Sequence, residues 1–179
     1  PFAENPIEIL RIDKGGLVFY GGLIGGGLAL LIMVLRKKMP FRATLGVVSS
    51  VIPLGHAFGR LGCFMNGCCF GHITHGWLGV RFPEGSPPYN LHLARGYIES
   101  SAAWSQPVHA TQLYAVGYNL LIFAFLTFWL PRRWRAGEAA WLYGIFYGTA
   151  RFANEALRLE PTYSGLTVAQ WVCLPLVLF

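Results

Sequence analysis

Residues 17–35, LVFYGGLIGGGLALLIMVL, carry no charge and are close to the roughly 20 residues an α-helix needs to cross a bilayer. The 16 residues before them are polar and mixed and read as a loop or interfacial segment. The apolar pattern returns at 43–64, which turns polar at its far end, and again at 110–130. A fourth segment, 137–158, has a charged second half, and a fifth, 165–179, is still apolar at the last residue. Between the second and third lies 65–109, rich in Gly, Pro, His and aromatics, whose FPEGSPPYN (82–90) predicts non-helical chain. The pattern predicts an all-α fold: a single membrane domain over 1–179, built as a polytopic transmembrane helical bundle with an extracytoplasmic loop or arm. No repeat of fixed period stands out. Five glycines in the first span (Gly21, Gly22, Gly25, Gly26, Gly27) suit close helix approach in lipid.

Composition agrees with a bilayer as solvent. Of 179 residues, 54% are hydrophobic and 12% charged, about half the charge of a soluble domain, and the mean hydropathy is +0.46. The net charge of +6 raises nucleic acid as a partner. Its basic residues form no continuous stripe, however, and the chain is too apolar, so no nucleic acid is expected. Two basic clusters, RKKMPFR (36–42) and PRRWR (131–135), each follow directly on an apolar run, the mark of cytoplasmic helix ends. If 36–42 is cytoplasmic, span two returns outward, 65–109 lies outside, and span three delivers 131–135 to the same side as 36–42. His56 to Gly71, the arm, the start of span three and the end of span four then all lie toward the outer leaflet. The chain begins at Pro1 and stops inside an apolar run, which reads as the ordered part of a longer protein.

The chemistry-bearing residues gather at that outer end. Tyr147, Arg151, Glu155 and Arg158 are spaced four, four and three apart, one face of a helix. Charges in hydrocarbon usually face a bundle interior or a wet cavity. One reading is a self-neutralising Arg–Glu pair with Arg158 snorkelling at the interface. The other is a polar cavity whose arginines hold an anionic head group, since the guanidinium fork suits phosphate oxygens. His56, Arg60 and Cys63 share a face of span two, with Gly59 and Gly62 flanking Arg60, and Asn66–Gly67 reads as a helix end. His109 and Gln112 stand at the start of span three beside Tyr114. Arg81, among the aromatics of GWLGVRFPEGS (76–86), suits an interfacial arm.

The stretch GRLGCFMNGCCFG (59–71) holds Cys63, Cys68 and Cys69. With His72 and His75 it gives C-x4-C-C-x2-H-x2-H, which is no standard zinc spacing, so no metal is expected. On the extracytoplasmic side Cys63 could pair with Cys68 or Cys69, whereas a bridge between the adjacent pair would be strained. Alternatively the three are small residues packed against backbone. Cys173, in an apolar run, reads as lipid-facing or buried and inert.

These motifs resemble the prolipoprotein diacylglyceryl transferase family from about residue 15 to the end. GGLVFYGGLIGG (15–26) is similar to that family's GG-[hydrophobic]-S-F-H-G-G-L-I-G, and GRLGCFMNGCCFG to its signature G-R-[IL]-G-N-F-x-N-G-E-x-x-G. GVRFPEGS, VHATQLYA and YGTARFANEALR (147–158) resemble three further segments, in the same order and spacing. The family has seven membrane helices, so the resemblance implies two spans ahead of this stretch. It implies a multi-pass protein of the bacterial cytoplasmic (inner) membrane with its site facing the outer leaflet. The reaction implied moves diacylglyceryl from phosphatidylglycerol, or another anionic phospholipid, to the lipobox cysteine thiol of a preprolipoprotein, and no cofactor is implied. By position, Arg60 and Arg151 bind or polarise the phosphoglycerol head group, Tyr147, Glu155 and Arg158 shape its pocket, and Asn66, Gly67 and Gly71 complete the signature. The chain departs from the pattern at Tyr20, where the family has a histidine, at Cys63 (asparagine), at Cys68 (glutamate) and at Ala115 (glutamate). His56 and His109 are other candidates for proton transfer, and Cys68 as a thiolate is a further base or nucleophile. The rival classes are a non-catalytic lipid-binding subunit packed on other membrane subunits, and a thiol redox membrane protein using Cys63, Cys68 and Cys69.

Overall fold

The computed structural model describes residues 17–129, 137–159 and 162–178. Residues 1–16 and the basic cluster at 131–135 lie outside them. The order is α1 (Leu17–Arg36), α2 (Phe41–Met65), β1 (Gly79–Val80), α3 (Pro87–Ala94), β2 (Val108–His109), α4 (Thr111–Ala124) continued by a π-helical turn at Phe125–Trp129, α5 (Glu138–Glu155), β3 (Thr162–Tyr163), β4 (Leu166–Thr167) and α6 (Val168–Leu178). The fold is mostly helical, and the five apolar runs are α1, α2, α4 with its π turn, α5 and α6. Among the described residues two helices, Phe41–Met65 and Thr111–Phe128, are long and apolar enough to cross a membrane. The chain divides into two compact units, Pro1–Thr44 and Leu45–Phe179. In the first, α1 presents Gly22, Gly25, Gly26 and Gly27 with Ile24, Leu28, Ile32 and Leu35 to the surface.

The second unit holds the candidate site. Along α2 the buried residues are Gly46, Ser49, Pro53 and Ala57, a narrow stripe of small side chains at helical spacing. Val47, Val51 and Phe58 on the other side are exposed. Pro53 fits this interior position because its ring serves as a packing surface, at the cost of one backbone hydrogen bond. Polar side chains, by contrast, sit inside: Gln112, Asn119, Asn154, Glu155 and Gln170 are buried while Leu121, Phe128 and Val172 are exposed. Apolar groups outside and polar groups inside is the arrangement that hydrocarbon surroundings favour.

The expectation that 82–90 is non-helical is corrected by α3. Pro87 and Pro88 occupy its first turn, where no intrahelical N–H is required, and Ser86 enters extended at φ −71 and ψ 155. The segment 65–109 is a built arm: Gly79 and Val80 pair antiparallel with His109 and Val108, and single bridges join Ile73 to Val108 and Pro83 to Trp104. Phe82, Tyr89, His92 and Val108 are buried within it, and the Phe82 N–H donates to Ser105 Oγ at 3.0 Å.

The turn into α6 is equally specified. Ser164 (φ 54) and Gly165 (φ 84) form the two-residue link of the β3–β4 hairpin. Thr167 and Gln170 then cap α6 reciprocally: Gln170 N–H donates to Thr167 Oγ1 at 3.3 Å, and Thr167 N–H to Gln170 Oε1 at 3.0 Å.

Candidate functional site

The stretch 59–71 ends α2 in a Schellman closure. The Cys68 N–H donates to the Cys63 carbonyl at 3.1 Å and the Gly67 N–H to the Phe64 carbonyl at 3.0 Å, with Gly67 at φ 69. A left-handed residue is required there, which is why glycine stands at 67. Asn66, the residue before it, is exposed. The chain then turns a second time at Cys69, also left-handed at φ 62.

The start of α4 holds this double turn in place. Thr111 Oγ1 donates to the Cys69 carbonyl and Gln112 Nε2 to the Cys68 carbonyl, both at 2.6 Å. Asn154 of α5 reaches the Thr111 carbonyl at 3.0 Å. Gly71 sits at the joint of all three segments. Its N–H donates to the His109 carbonyl at 2.9 Å, and it bridges to Arg158. A Cβ at this position would strike the Leu157 carbonyl and come within 2.9 Å of both His109 Cβ and Thr111 Cγ2. His109, half-buried beside it, places Nδ1 3.1 Å from the Tyr114 hydroxyl.

One turn back along α2, Arg60 is half-buried and interacts with Cys69, Cys63, Tyr147 and Tyr118. None of these is a carboxylate. His56, one turn further back, lies 3.0 Å from the Tyr143 hydroxyl through Nδ1, and its ring centroid is 5.2 Å from that of Tyr147. Tyr143 and Tyr147 stack at 5.4 Å, and Tyr118 of α4 meets Tyr147 edge-on at 6.3 Å. The groups that act on Arg60 are thus phenols and thiols.

Further along the same ridge of α5 the balance changes. Arg151 is ion-paired to Glu155, and Arg158 lies 3.3 Å from the same carboxylate oxygen. Glu155 is buried and the two arginines nearly so, at 11% exposure each. Glu155 and Arg158 line a cavity of about 720 Å³ together with His72, Arg95, Phe152 and Gln170. Arg151 links the two halves: it neutralises Glu155 and also acts on Tyr118, which stands by Arg60.

The structure therefore brings together His56, Arg60, Tyr147, Cys63 and Cys69 as one group, and Arg151, Glu155 and Arg158 as a second. Gly67, Gly71 and Gln112 frame them, with Gln112 buried and its amide nitrogen held by backbone. Tyr20 stands in the first turn of α1, and its side chain lies outside the described residues. Tyr118, Tyr143, Thr111 and Asn154 escape sequence reasoning. Tyr143 is one turn before Tyr147 and Tyr118 one turn after Tyr114, so helical spacing from residues already chosen was the available signal.

A family model described as prolipoprotein diacylglyceryl transferase matches residues 2–179. Proteins called phosphatidylglycerol–prolipoprotein diacylglyceryl transferase are similar to the chain throughout. That of Clostridium tetani is 33% identical over 175 residues, covering 96% of this chain and 64% of the relative. That of a Wolbachia of Drosophila simulans is 37% identical over 187 residues, covering 99% and 64%. That of Bordetella parapertussis is 30% identical over 183 residues, covering 99% and 63%. The chain spans just under two thirds of the length of these relatives. No solved structure matches it.

Proposed function

The chain belongs to the prolipoprotein diacylglyceryl transferase family, and we propose that it is a diacylglyceryl transferase of the bacterial inner membrane, multi-pass, with its site at the outer leaflet. Its donor is phosphatidylglycerol or another anionic phospholipid, and its acceptor is the cysteine thiol of a preprolipoprotein lipobox. The names of the relatives support the substrates. The inverted burial pattern and the apolar helices support the membrane.

The observation that carries the reading is Arg60: a half-buried guanidinium among hydroxyls and thiols, with no carboxylate among its described neighbours. A phosphodiester can take that position without displacing an existing ion pair. Arg60 holds the phosphate through its fork, and Arg151 adds positive potential from the Glu155 side. Tyr147 and Tyr118 supply hydroxyls at the edge of the head group. Glu155 and Arg158 shape the cavity they line, with His56, Asn66, Gly67 and Gly71 keeping the Arg60 group in register.

Chemistry follows from where charge develops. The acceptor sulfur forms a bond to the glyceryl carbon as that carbon's bond to the phosphate oxygen breaks, and glycerol phosphate leaves with the electron pair. The leaving phosphate gains negative charge, which Arg60 and Arg151 stabilise more than they stabilise the diester. The thiol proton must go elsewhere. His109, with Nδ1 engaged by Tyr114, offers Nε2 for it, and Tyr20 stands where the resemblance puts a histidine.

Incubating the purified chain with phosphatidylglycerol and a lipobox peptide tests this directly by mass spectrometry. A gain equal to one diacylglyceryl group, absent in Arg60→Gln, is the expected result. No gain, where a competent relative gives one, overturns the transferase reading.

A further inference from the structure

Beside Arg60 the fold gathers sulfur. The Sγ atoms of Cys63, Cys68 and Cys69 all lie within 4.8 Å of one another, and all three residues are half-buried. The linear spacing is unlike a zinc motif, and the convergence comes from two turns instead. In a Schellman closure the side chains of the third-from-last helical residue and the second residue past the cap lie side by side. Here those residues are Cys63 and Cys68, and the Cys68 thiol donates to the Cys63 carbonyl at 3.6 Å. The left-handed Cys69 then turns the third sulfur back toward the first two. Thr111 and Gln112 pin the carbonyls of Cys69 and Cys68, so the cluster is held from outside as well as by its own turns.

We propose that Cys63, Cys68 and Cys69 form a three-thiolate site for a soft divalent cation of the Zn²⁺ class, with its fourth coordination position open to a thiolate from another chain. Zinc–sulfur bonds of ~2.3 Å set sulfurs ~3.8 Å apart around a tetrahedral ion, so side-chain rotations of about 1 Å bring the three into range. Three thiolates around a dication leave one negative charge. No histidine, aspartate or glutamate among the described residues joins the group. Three protein ligands and an open position are the mark of a catalytic zinc site, as opposed to a structural one.

The identity of the fourth ligand rests on the proposed transferase reading, in which the acceptor is itself a cysteine. On binding, its thiol gives its proton to His109 Nε2, the acceptor of the proposed reaction, and enters as thiolate. Its electron pair then forms the bond to the glyceryl carbon while the phosphate oxygen keeps the pair of the bond that breaks. A metal at this place supplies thiol deprotonation in a chain whose first segment has Tyr20 where the resemblance puts a histidine.

The test uses the full chain, reduced and purified in detergent, titrated with Co²⁺ alone. An intense sulfur-to-cobalt band saturating at one metal per chain is expected, displaced by Zn²⁺. Cys63→Ser, Cys68→Ala and Cys69→Ser should each lose most of the band, with Cys173→Ser unchanged, and circular dichroism checks that each variant is folded. Adding a peptide with one cysteine should raise the band by about one third, the step from three sulfur ligands to four. The same peptide with serine should not. No band, a band that survives in all three variants, or thiol counting that finds Cys63 in a disulfide under these conditions overturns the site. A band indifferent to the cysteine peptide overturns the open-position assignment. Neither readout measures diacylglyceryl transfer, so both stand apart from the transferase reading.

Discussion

Arg60 and Arg151 are both arginines pointed into the interior of one unit, yet they are balanced in different ways. Arg151 shares the Glu155 carboxylate with Arg158, and the three form a buried network. Arg60 interacts with thiols, phenols and His56, none of which is a carboxylate. A buried ion pair is strongly missed when one partner goes, because the other charge stays in a poor solvent. Under the proposed function the Glu155 network fixes structure and Arg60 takes the anion.

Substitutions separate the two roles. Glu155→Gln leaves two arginines facing each other and should cost about 3–5 kcal/mol of stability, read as a fall in thermal midpoint in detergent. Arg60→Gln should cost under ~1 kcal/mol on the same scale. Equal losses would end the distinction. Gly71→Ala probes the joint that holds both networks to the arm. Its methyl has to displace the Leu157 carbonyl, His109 and Thr111, so a loss of about 1–3 kcal/mol is expected in denaturant unfolding.

Arg60→Lys keeps the charge and removes the fork. Transfer or binding to phosphatidylglycerol nanodiscs should fall roughly 10–100-fold, matching the 1.5–3 kcal/mol range of charged hydrogen bonds, with the thermal midpoint held. Arg158→Lys should do the reverse, lowering the midpoint more than binding. Gln112→Ala removes one hydrogen bond to the Cys68 carbonyl and should cost about 1 kcal/mol.

The smallest effect belongs to the arm. His92 is buried, accepts the Gln106 N–H at 3.2 Å through Nδ1, and is held below the ordinary histidine pKa by burial and then by Arg95. Protons therefore favour the unfolded chain between that lowered value and about 6.5. Stability should fall as pH drops through this window and be flat above it. His92→Asn should remove that slope while leaving Arg60-dependent binding unchanged.

Much of the frame was legible because it is periodic. Each apolar run became a helix within a few residues of its expected limits, and the α5 ridge of Tyr147, Arg151 and Glu155 follows from spacing alone, whereas Arg158 lies past the helix end in a bridge to Gly71. Gly67 as a helix-ending left-handed residue was equally readable. The helix α3 was missed because two prolines look like a break, although the first turn of a helix tolerates them. The division of the arginines into two networks was also missed, since Arg60 and Arg151 share a residue class and lie on different helices.

By itself, then, the sequence determined the helices, the polar ridge and the turn at Gly67, all set by contacts within a few residues along one chain segment. Only the tertiary structure decided which tyrosines accompany Arg60 and that Thr111 and Gln112 clasp the carbonyls of Cys69 and Cys68. The physical reason is range. Helical periodicity is written into neighbouring positions, whereas the partners of a buried polar group are fixed by packing between segments more than 40 residues apart.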